Sequence, residues 1–268
     1  LVRGKGLFCR SLMKSQAASP AFSHVYAALA SIVNTKFPEI GELLVKRVVL
    51  QFKGAYKSND KAVCTASLKF IAHLVNQQLQ HELLALEILA LLLENPSDDS
   101  VELAVGFVKE VGALLSEVSP KGLFSIFERF RGILQEGGVG KRVQYIIEGL
   151  FAVRKGNFED FPALTPELDL VEMDDQITHE ISLEDRLEPQ TSLDTFAVDS
   201  DFEASEKRYE AIKKEILGDS DEDEDEGEDA SGDEGSSSEE EEEEREGEEQ
   251  GGAPVPPATL GQQQQQQQ

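Results

Sequence analysis

The charge of this 268-residue chain is divided into two unlike parts, and the division limits where a folded core can form. Residues 1–158 carry 19 Lys and Arg against 14 Asp and Glu, a net charge of +5, whereas residues 159–268 carry 6 against 38, a net charge of −32. The first part is rich in Leu, Val, Ile, Ala and Phe, while most of the second has too little apolar surface to offset the entropy of ordering. We therefore expect one folded unit in the N-terminal part.

Apolar residues in the first part recur at the spacing of an α-helix. Two such patterns are Phe22, Val25, Tyr26, Leu29, Ile32 and Val33, and Val101, Val105, Val108, Val111 and Leu115. Ser19-Pro20 and Ser119-Pro120 indicate helix starts, each with a capping hydroxyl before a proline of the first turn. Periodicity, caps and breakers together predict helices at residues 7–17, 20–35, 38–57, 60–77, 79–94, 98–117, 120–135 and 140–154.

The length and spacing of these helices indicate the fold class. Short connections favour antiparallel neighbours, and successive helix hairpins of about 40 residues are typical of HEAT repeats. The sequence therefore predicts an all-α, HEAT-like α-solenoid of antiparallel helix pairs, followed by an extended arm and a disordered acidic tail. A compact helical bundle is the alternative, because no repeated residue motif is visible.

Composition also predicts how the chain is divided. Apolar residues persist after the helices, so we expect an acidic arm that packs on the helical domain rather than a free linker. The chain opens at Leu1 rather than Met, which is compatible with a fragment, an alternative transcript or a gene-model error, and no secretory leader or membrane span is expected. The predicted boundaries are a helical domain at 1–157, an extended acidic arm at 158–201, a helix at 202–217 and a disordered acidic, Pro-rich and Gln-rich tail at 218–268.

Cysteine and histidine residues give no support for a metal site or a catalytic centre. Cys9 and Cys64 lie singly within helical patterns and are predicted to be buried free thiols. The histidines are scattered, and we interpret each as a surface or helix-end residue. The four are His24, His73, His81 and His179. No cofactor, metal or catalytic residue is expected, and the chain is predicted not to be an enzyme.

Two further motifs have structural interpretations. Residues 137–141, GGVGK, resemble a phosphate-binding loop, but Arg142 stands where Ser or Thr is required and no strand precedes the loop. A flexible helix connection explains them better. Asp98 and Asp99 follow Pro96-Ser97, where the start of a helix favours negative charge, so we assign them to helix capping.

Candidate partner-binding residues lie near predicted helix ends, because loops along the edge of a solenoid are exposed and close together. They are Asn59, Lys61, Lys141 and Arg142. A wider set of basic residues is equally compatible with a binding surface for nucleic acid or an acidic partner and with an ordinary solvated face. That set is Lys46, Arg47, Lys53, Lys57, Lys61, Lys69, Arg129, Arg131, Lys141 and Arg142.

The acidic tail has its own candidate functions. Several serines precede acidic residues and are predicted sites for an acid-directed kinase. They are Ser220, Ser231, Ser236, Ser237 and Ser238. The run at 219–249 is dense enough to attract basic partners, as in an acidic chaperone, whereas the simpler interpretation is a solubilising linker.

Several sequence blocks resemble a known family. The middle domain shared by translation initiation factor 4G and its relatives is similar to SPAFSHVYAALASIVNTKFPEIGELLVKRVVLQF, NDKAV, PSDDSVELAVGFVKEVG and KRVQYIIEGLFAVRK. More narrowly, DLVEMDDQITHEISLED and YEAIKKEILGDSDED resemble the nucampholin family of pre-mRNA-splicing factors. The resemblance covers roughly residues 1–226 and implies a HEAT-type domain.

The resemblance also implies a function and partners. Members of that family are nuclear proteins of the spliceosome and nuclear speckles, and they bind the DEAD-box RNA helicase of the initiation-factor-4A class in the exon junction complex. They keep that helicase from clamping RNA prematurely and deliver it to spliced messages. Other spliceosome proteins, and RNA within the complex, are further implied partners, and a membrane is not.

The family pattern extends beyond this sequence. It implies one more helix before Leu1 and a second helical domain after the acidic linker, so we expect an N-terminally truncated middle domain. The alternative functions are an acidic-tailed nuclear chaperone and a helicase-binding scaffold of the translation-initiation type.

Overall fold

The structure, a computed structural model, describes residues 4–196 and 198–217. Its α-helices are α1 (Lys5–Ala18), α2 (Ser23–Lys36), α3 (Pro38–Ser58), α4 (Lys61–Asn76), α5 (Glu82–Glu94), α6 (Asp98–Val118), α7 (Pro120–Glu136), α8 (Lys141–Lys155) and α9 (Phe202–Leu217). Short 3₁₀ turns lie at Pro20–Phe22, Pro166–Leu168, Met173–Asp175 and Thr191–Asp194. The described residues contain no β-strand, and the all-α prediction is confirmed.

The first eight helices pack in two layers. In the even layer, α2, α4, α6 and α8 lie side by side in chain order. In the odd layer, α1 packs against α3 and α5 packs against α7. Consecutive helices also contact each other across the layers, as α3 does with α4 and α5 with α6. This arrangement of antiparallel pairs is the HEAT-like solenoid that the sequence predicted.

The chain consists of two compact units, with the boundary after Ser200. Residues up to Ser200 form one unit, and α9 belongs to a second unit that begins at Asp201. Tyr209 and Ile212 of α9 are exposed. The tail at 218–268, with its predicted phosphorylation sites, lies outside the described residues.

The core of the first unit lies between the two layers and includes the predicted apolar positions of α6 but not those of α2. Its largest fully buried side chains include Phe52, Phe70, Phe127 and Phe130. Helix α6 illustrates the pattern, because Val101, Val105, Val108, Val111 and Leu115 are all buried along one face. None of the described helices is both long and apolar enough to cross a membrane.

Helix starts follow the predicted proline positions but not the predicted hydroxyl caps. Pro20 and Pro120 occupy first-turn positions, yet neither Ser19 nor Ser119 makes a side-chain capping hydrogen bond. Pro20 opens a 3₁₀ turn, and α2 proper begins only at Ser23. Because proline lacks an N–H and has its φ preset, it starts a helix without help from the preceding side chain.

The second predicted apolar pattern, on α2, is largely exposed. Phe22, Val25, Leu29 and Ile32 have exposed fractions of 56, 42, 44 and 40%. The buried face of α2 is instead made of small and polar residues: Ser23, Ala27, Ala28, Ala30, Ser31 and Asn34. Small side chains allow neighbouring backbones to approach closely, as at Gly41, where an added Cβ would lie 2.0 Å from Asn34 Oδ1. The apolar pattern of this helix therefore does not mark the face that packs on the core.

The connection between α4 and α5 is longer than predicted. Helix α4 ends at Asn76 and α5 begins at Glu82, so the expected start of a helix at residue 79 was wrong. His81 caps α5, because its Nδ1 accepts a hydrogen bond from Leu83 N at 3.2 Å. This contact confirms the interpretation of His81 as a helix-end residue.

The extra residues of this connection hold the arm. Since the arm has little regular structure, its backbone polar groups need partners elsewhere in the protein. His179 N donates to Leu79 O at 2.9 Å, and His81 N donates to His179 O at 2.9 Å. Gln80 Nε2 donates to Ile181 O at 2.9 Å, and Ile181 is itself buried. The arm thus docks as an extended segment along the α4–α5 connection.

Side chains from neighbouring helices extend this docking in both directions. Gln77 Nε2 donates to Leu168 O at 3.0 Å, and Asn34 Nδ2 donates to Ile177 O at 2.6 Å. Asn34 Oδ1 also lies 2.7 Å from His179 Nε2. His179 is therefore neither a surface nor a helix-end residue but part of the arm contact, and burial lowers its pKa. Its expected position was wrong.

Leu183 joins two helices of the odd layer that do not pack closely on each other. Its carbonyl accepts from Lys53 Nζ of α3 at 2.8 Å, and its N–H donates to Glu87 Oε2 of α5 at 2.8 Å. Ser182 Oγ donates to Glu87 Oε1 at 2.9 Å. The arm therefore bridges α3 and α5 and completes the odd layer.

Arg47 of α3 anchors the far end of the arm. The residue is only 7% exposed, and its guanidinium donates to Pro189 O at 2.8 Å, Gln190 O at 3.0 Å and Gly6 O at 3.1 Å. It also pairs with Asp194 Oδ1 at 2.6 Å. A planar fork of donors suits this convergence of carbonyls and a carboxylate, which a lysine would not satisfy.

Phe158 fixes the start of the arm. Asn157 and Phe158 follow α8 with left-handed φ values of 51° and 57°, a conformation that is costly for such residues. The turn carries the fully buried Phe158 ring onto α6, where a Cβ added to Gly112 would lie 2.3 Å from it. Burial of the aromatic ring offsets the cost of the turn.

Cys9 and Cys64 are buried free thiols, as predicted. Burial raises the pKa of the Cys9 thiol to about 11 and also raises the pKa of Cys64. A high thiol pKa leaves little thiolate at neutral pH, so both residues behave as small apolar core residues.

Replacing Arg47 tests the anchor. We expect Arg47→Met to lower the free energy of unfolding by about 3 kcal/mol, because Asp194 and three carbonyls would lose their shared donor. The neighbouring substitution Lys46→Met is the matched control, since it breaks only an i,i+4 pair with Glu42 and should cost about 0.5 kcal/mol. Urea unfolding measures both, and equal losses would contradict an anchoring role for Arg47.

Two glycines of α6 give a second test. Gly112→Ala should destabilise the protein by about 2 kcal/mol, because the new Cβ would meet the Phe158 ring. Gly106→Ala meets nothing within 4 Å and should be neutral or stabilise by up to about 1 kcal/mol through helix propensity. If thermal and urea unfolding give the same sign for both variants, the arm does not begin with Phe158 seated on α6.

Candidate protein-binding edge

Three helices of the even layer begin along one edge of the layer. Helices α4, α6 and α8 have Asp60, Ser97 and Gly140 as their N-cap residues. The edge formed by residues 59–61, 97–102 and 140–142 is called the even-layer edge below.

Each N-terminus is formed by a different local mechanism. The Asp60 carboxylate accepts from Val63 N at 3.1 Å. Ser97 and Ser100 cap each other reciprocally, since Ser97 Oγ accepts from Ser100 N at 3.2 Å and Ser100 Oγ accepts from Ser97 N at 2.9 Å. Gly140 makes no side-chain cap, and its N–H instead donates to Asp98 Oδ1 of α6 at 2.8 Å. The start of α8 is thus held by its neighbour.

Glu102 is the centre of an ion-pair network along this edge. Arg142 donates to both of its carboxylate oxygens, at 3.1 Å and 2.7 Å, and Lys61 Nζ lies 2.6 Å from Oε2. Lys61 also contacts Asp99 Oδ1 at 2.7 Å. Hydrogen bonds from Arg142 and from Lys61 lower the pKa of Glu102 to about 2. One carboxylate of α6 therefore links the first turns of α4 and α8.

The structure brings together two of the four predicted partner-binding residues. Lys61 and Arg142 meet at Glu102. Lys141, beside them, is exposed and makes no ion pair with a described residue. Asn59 ends α3 in a left-handed conformation with φ 55° and is exposed. All four lie on the even-layer edge.

The roles of the acidic residues in this network were not predicted from the sequence. Glu102 was not singled out, and Asp98 and Asp99 were assigned to capping. Both aspartates do lie in the first turn of α6, but Ser97 is the cap. Asp98 holds Gly140 of α8, and Asp99 holds Lys61 of α4. An acidic first turn was the available signal, but its partners become apparent only once three helices are stacked.

Most of the basic residues considered for a binding surface are engaged within the protein. Eight of the ten have a carboxylate or carbonyl partner: Lys46, Arg47, Lys53, Lys61, Lys69, Arg129, Arg131 and Arg142. Lys57 and Lys141 have no such partner among the described residues. The geometry therefore favours structural roles for most of these cations over a continuous nucleic-acid surface.

A separate cluster lies where α4 and α6 meet the start of the arm. The His24 and His73 rings have centroids 5.9 Å apart, and His73 Nε2 lies 3.3 Å from Glu110 Oε2. Burial opposes ionisation of Glu110, yet its contacts with His73 and Lys69 outweigh burial and lower its pKa to about 2. His73 is buried, so its expected surface position was wrong.

The His73 cluster does not form a metal site. Among the described residues, no group of three or more His, Cys, Asp or Glu side chains is arranged to hold a metal ion. The GGVGK segment lies where its sequence interpretation placed it, between α7 and α8, with Gly137 left-handed at φ 66°.

The two stacked layers and their exposed edge of helix N-termini define a HEAT-like helical repeat protein. A family model for the MIF4G domain matches residues 7–157, which is more than half of the chain. The chain belongs to the MIF4G-domain family.

Several curated proteins that are similar to this chain are named as pre-mRNA-splicing factors. The human "Pre-mRNA-splicing factor CWC22 homolog" is 54% identical over 230 residues, which cover 86% of this chain and 25% of that protein. "Pre-mRNA-splicing factor CWC22" of Mycosarcoma maydis is 56% identical over 230 residues, covering 86% and 26%. "Pre-mRNA-splicing factor cwf22" of Schizosaccharomyces pombe is 53% identical over 223 residues, covering 83% and 25%. The chain thus spans about a quarter of the length of these relatives and is homologous to that part of them.

The Glu102 network predicts a pH dependence of stability. Folding lowers the pKa of Glu102 from its ordinary value of 4.5 to about 2. Its ion pairs therefore contribute fully to the free energy of unfolding above pH 4.5, and this contribution is lost as the pH falls to about 2. Glu102→Gln should cost about 1 kcal/mol at pH 7, and this difference from the parent should vanish near pH 2.

Urea unfolding across this pH range measures the effect. Glu128→Gln is the control, since among the described residues Glu128 pairs only with Arg131 on the exposed face of α7. A Glu102→Gln difference that is the same at pH 7 and at pH 2 would contradict the network.

Proposed function

We propose that this chain is a pre-mRNA splicing factor that acts as a scaffold in the spliceosome. The observation that carries the proposal is its identity of more than 50% to proteins named as pre-mRNA-splicing factors, over more than four-fifths of its length. Because the matched segment covers 86% of the chain, it includes most of the two-layer helical unit and continues through the arm. Since the spliceosome is nuclear, the proposed location is the nucleus, in the spliceosome and in nuclear speckles.

The proposed mode of action is binding rather than catalysis. The even-layer edge offers fixed polar groups at the starts of three helices, and their positions are set by the Glu102 network. Such an edge suits recognition of a folded partner, because little side-chain entropy is lost when its groups are already held.

The proposed partner is the DEAD-box RNA helicase of the initiation-factor-4A class in the exon junction complex, whose assembly the chain would support. This partner follows from the resemblance to the initiation factor 4G middle domain and to splicing factors, together with the matched MIF4G domain. Other spliceosome proteins and RNA would then meet the chain within the same assembly.

Individual residues of the edge have different proposed roles. Asn59 and Lys141 are exposed and free to contact a partner. Lys61 and Arg142 are held by Glu102, so they would position the edge and add contacts at its surface.

Binding to the purified helicase tests the proposal. We expect the full chain and the exon-junction helicase to elute together in size-exclusion chromatography at micromolar concentration. Lys141→Glu should weaken the complex by about tenfold without changing thermal stability, because the residue is exposed and forms no ion pair with a described residue. Lys121→Glu is the matched control, a lysine in the first turn of α7 in the other layer, and should leave binding unchanged.

The outcomes separate the alternatives. Separate elution of the two proteins would contradict direct binding by this chain. Equal binding to a translation-initiation helicase of the same class would favour a scaffold of the translation type over one dedicated to splicing. Equal loss in Lys141→Glu and Lys121→Glu would place the contact away from the even-layer edge.

A further inference from the structure

A cavity of about 470 Å³ lies between α1, α3 and the arm, in the odd layer. Its walls include Met13 and Ala17 of α1, Leu50 of α3 and Pro189 of the arm. Apart from its charged rim these walls are mostly apolar, and the volume lies within the range of about 300–1,000 Å³ found for ligand sites. None of the residues of the even-layer edge lines it.

The hydrogen-bond donors of Arg47, which forms part of one wall of the cavity, are already in use. Its guanidinium is used by three backbone carbonyls and by Asp194. Arg47 therefore holds the cavity in shape and has little capacity left for a ligand.

The rim of the cavity carries two cations that have no carboxylate partner in the part of the chain that the structure describes. Arg10 and Lys14 lie one turn apart on α1, and both are exposed. Arg10 donates one hydrogen bond, to Asp194 O at 3.2 Å, and neither residue forms an ion pair in the described part of the chain. Like charges at i and i+4 repel each other, so an anion placed between them would be favoured.

We propose that this cavity binds an acidic peptide segment of a partner protein, which inserts one large apolar side chain between α1 and α3. Carboxylates beside that side chain pair with Arg10 and Lys14. The apolar walls supply the burial of the side chain, and the two cations at the rim set the preference for acidic neighbours.

The same features favour a peptide over single-stranded RNA. Among the lining residues there is no aromatic ring on which a base could stack, and stacking supplies much of the affinity of such sites. Two cations alone would neutralise few phosphates and would leave the apolar walls unused.

Fluorescence anisotropy with the full chain and a labelled peptide of sequence EEDLFDEE tests the proposal. The control peptide EEDSSDEE has the same charge and lacks the apolar pair. We expect saturable binding of the first peptide and at least about tenfold weaker binding of the second.

Two substitutions on α1 separate the two parts of the site. Lys14→Glu removes a rim cation, and Ala17→Leu places bulk in the cavity. Each should weaken binding of EEDLFDEE by at least about tenfold, while Lys121→Glu on α7 should not change it. Circular dichroism of each variant checks that the helical content is kept, and both substituted α1 positions are exposed.

The opposite results overturn the proposal. These are an absence of saturable binding, equal affinity for EEDSSDEE, or binding that Ala17→Leu does not weaken. Displacement of the peptide by oligouridylate, with affinity for that RNA lost in Lys14→Glu but kept in Ala17→Leu, would assign the rim to phosphate binding instead.

Discussion

The fold depends on how the backbone of an irregular segment is hydrogen-bonded. The arm cannot satisfy its own N–H and C=O groups, and an unpaired buried group costs about 1–3 kcal/mol. Polar side chains of the helices and of the α4–α5 connection supply partners instead, as Arg47 of α3 does for Pro189 and Gln80 of the connection does for Ile181. The arm and the solenoid are therefore one cooperative structure, and the positions of α3 and α5 in the odd layer are linked through Leu183.

This dependence explains which parts of the fold could be predicted. Helical periodicity reports which side of a helix is apolar, and it located α1 to α8 within a few residues in most cases. It failed at the α4–α5 connection, where Leu79 and His81 leave the helical pattern to pair with His179. Those residues are a hundred positions away in the chain, so no local pattern could have indicated the pairing. The class of fold follows from local signals, whereas the docking of the arm does not.

Helix α2 shows a second limit of periodicity. Its most apolar stripe is exposed, while Ala27, Ala30 and Asn34 are buried, because close packing against α3, α4 and the arm requires small or hydrogen-bonding side chains. Hydrophobicity ranks residues by transfer free energy and does not account for the space between two backbones. The same limitation applies to the even-layer edge. Exposure near helix ends indicated Lys61 and Arg142, but Glu102, which joins them, lies a turn inside α6 and became relevant only through stacking.

The even-layer edge and the odd-layer cavity differ in how strongly their cations can attract a charged partner. Along the even-layer edge, the charges of Lys61 and Arg142 are balanced by Asp99 and Glu102, so a partner there meets a surface with little net charge to attract it over a distance. On the odd layer, Arg10 and Lys14 border a mostly apolar cavity and form no ion pair with any residue that the structure describes. Recognition at the edge should therefore depend on shape and hydrogen bonds and respond weakly to salt, while recognition at the cavity should weaken as ionic strength rises. Because the two surfaces share no residue, the proposed helicase and the proposed acidic peptide would not compete for the same side chains, as the proposed scaffold role requires.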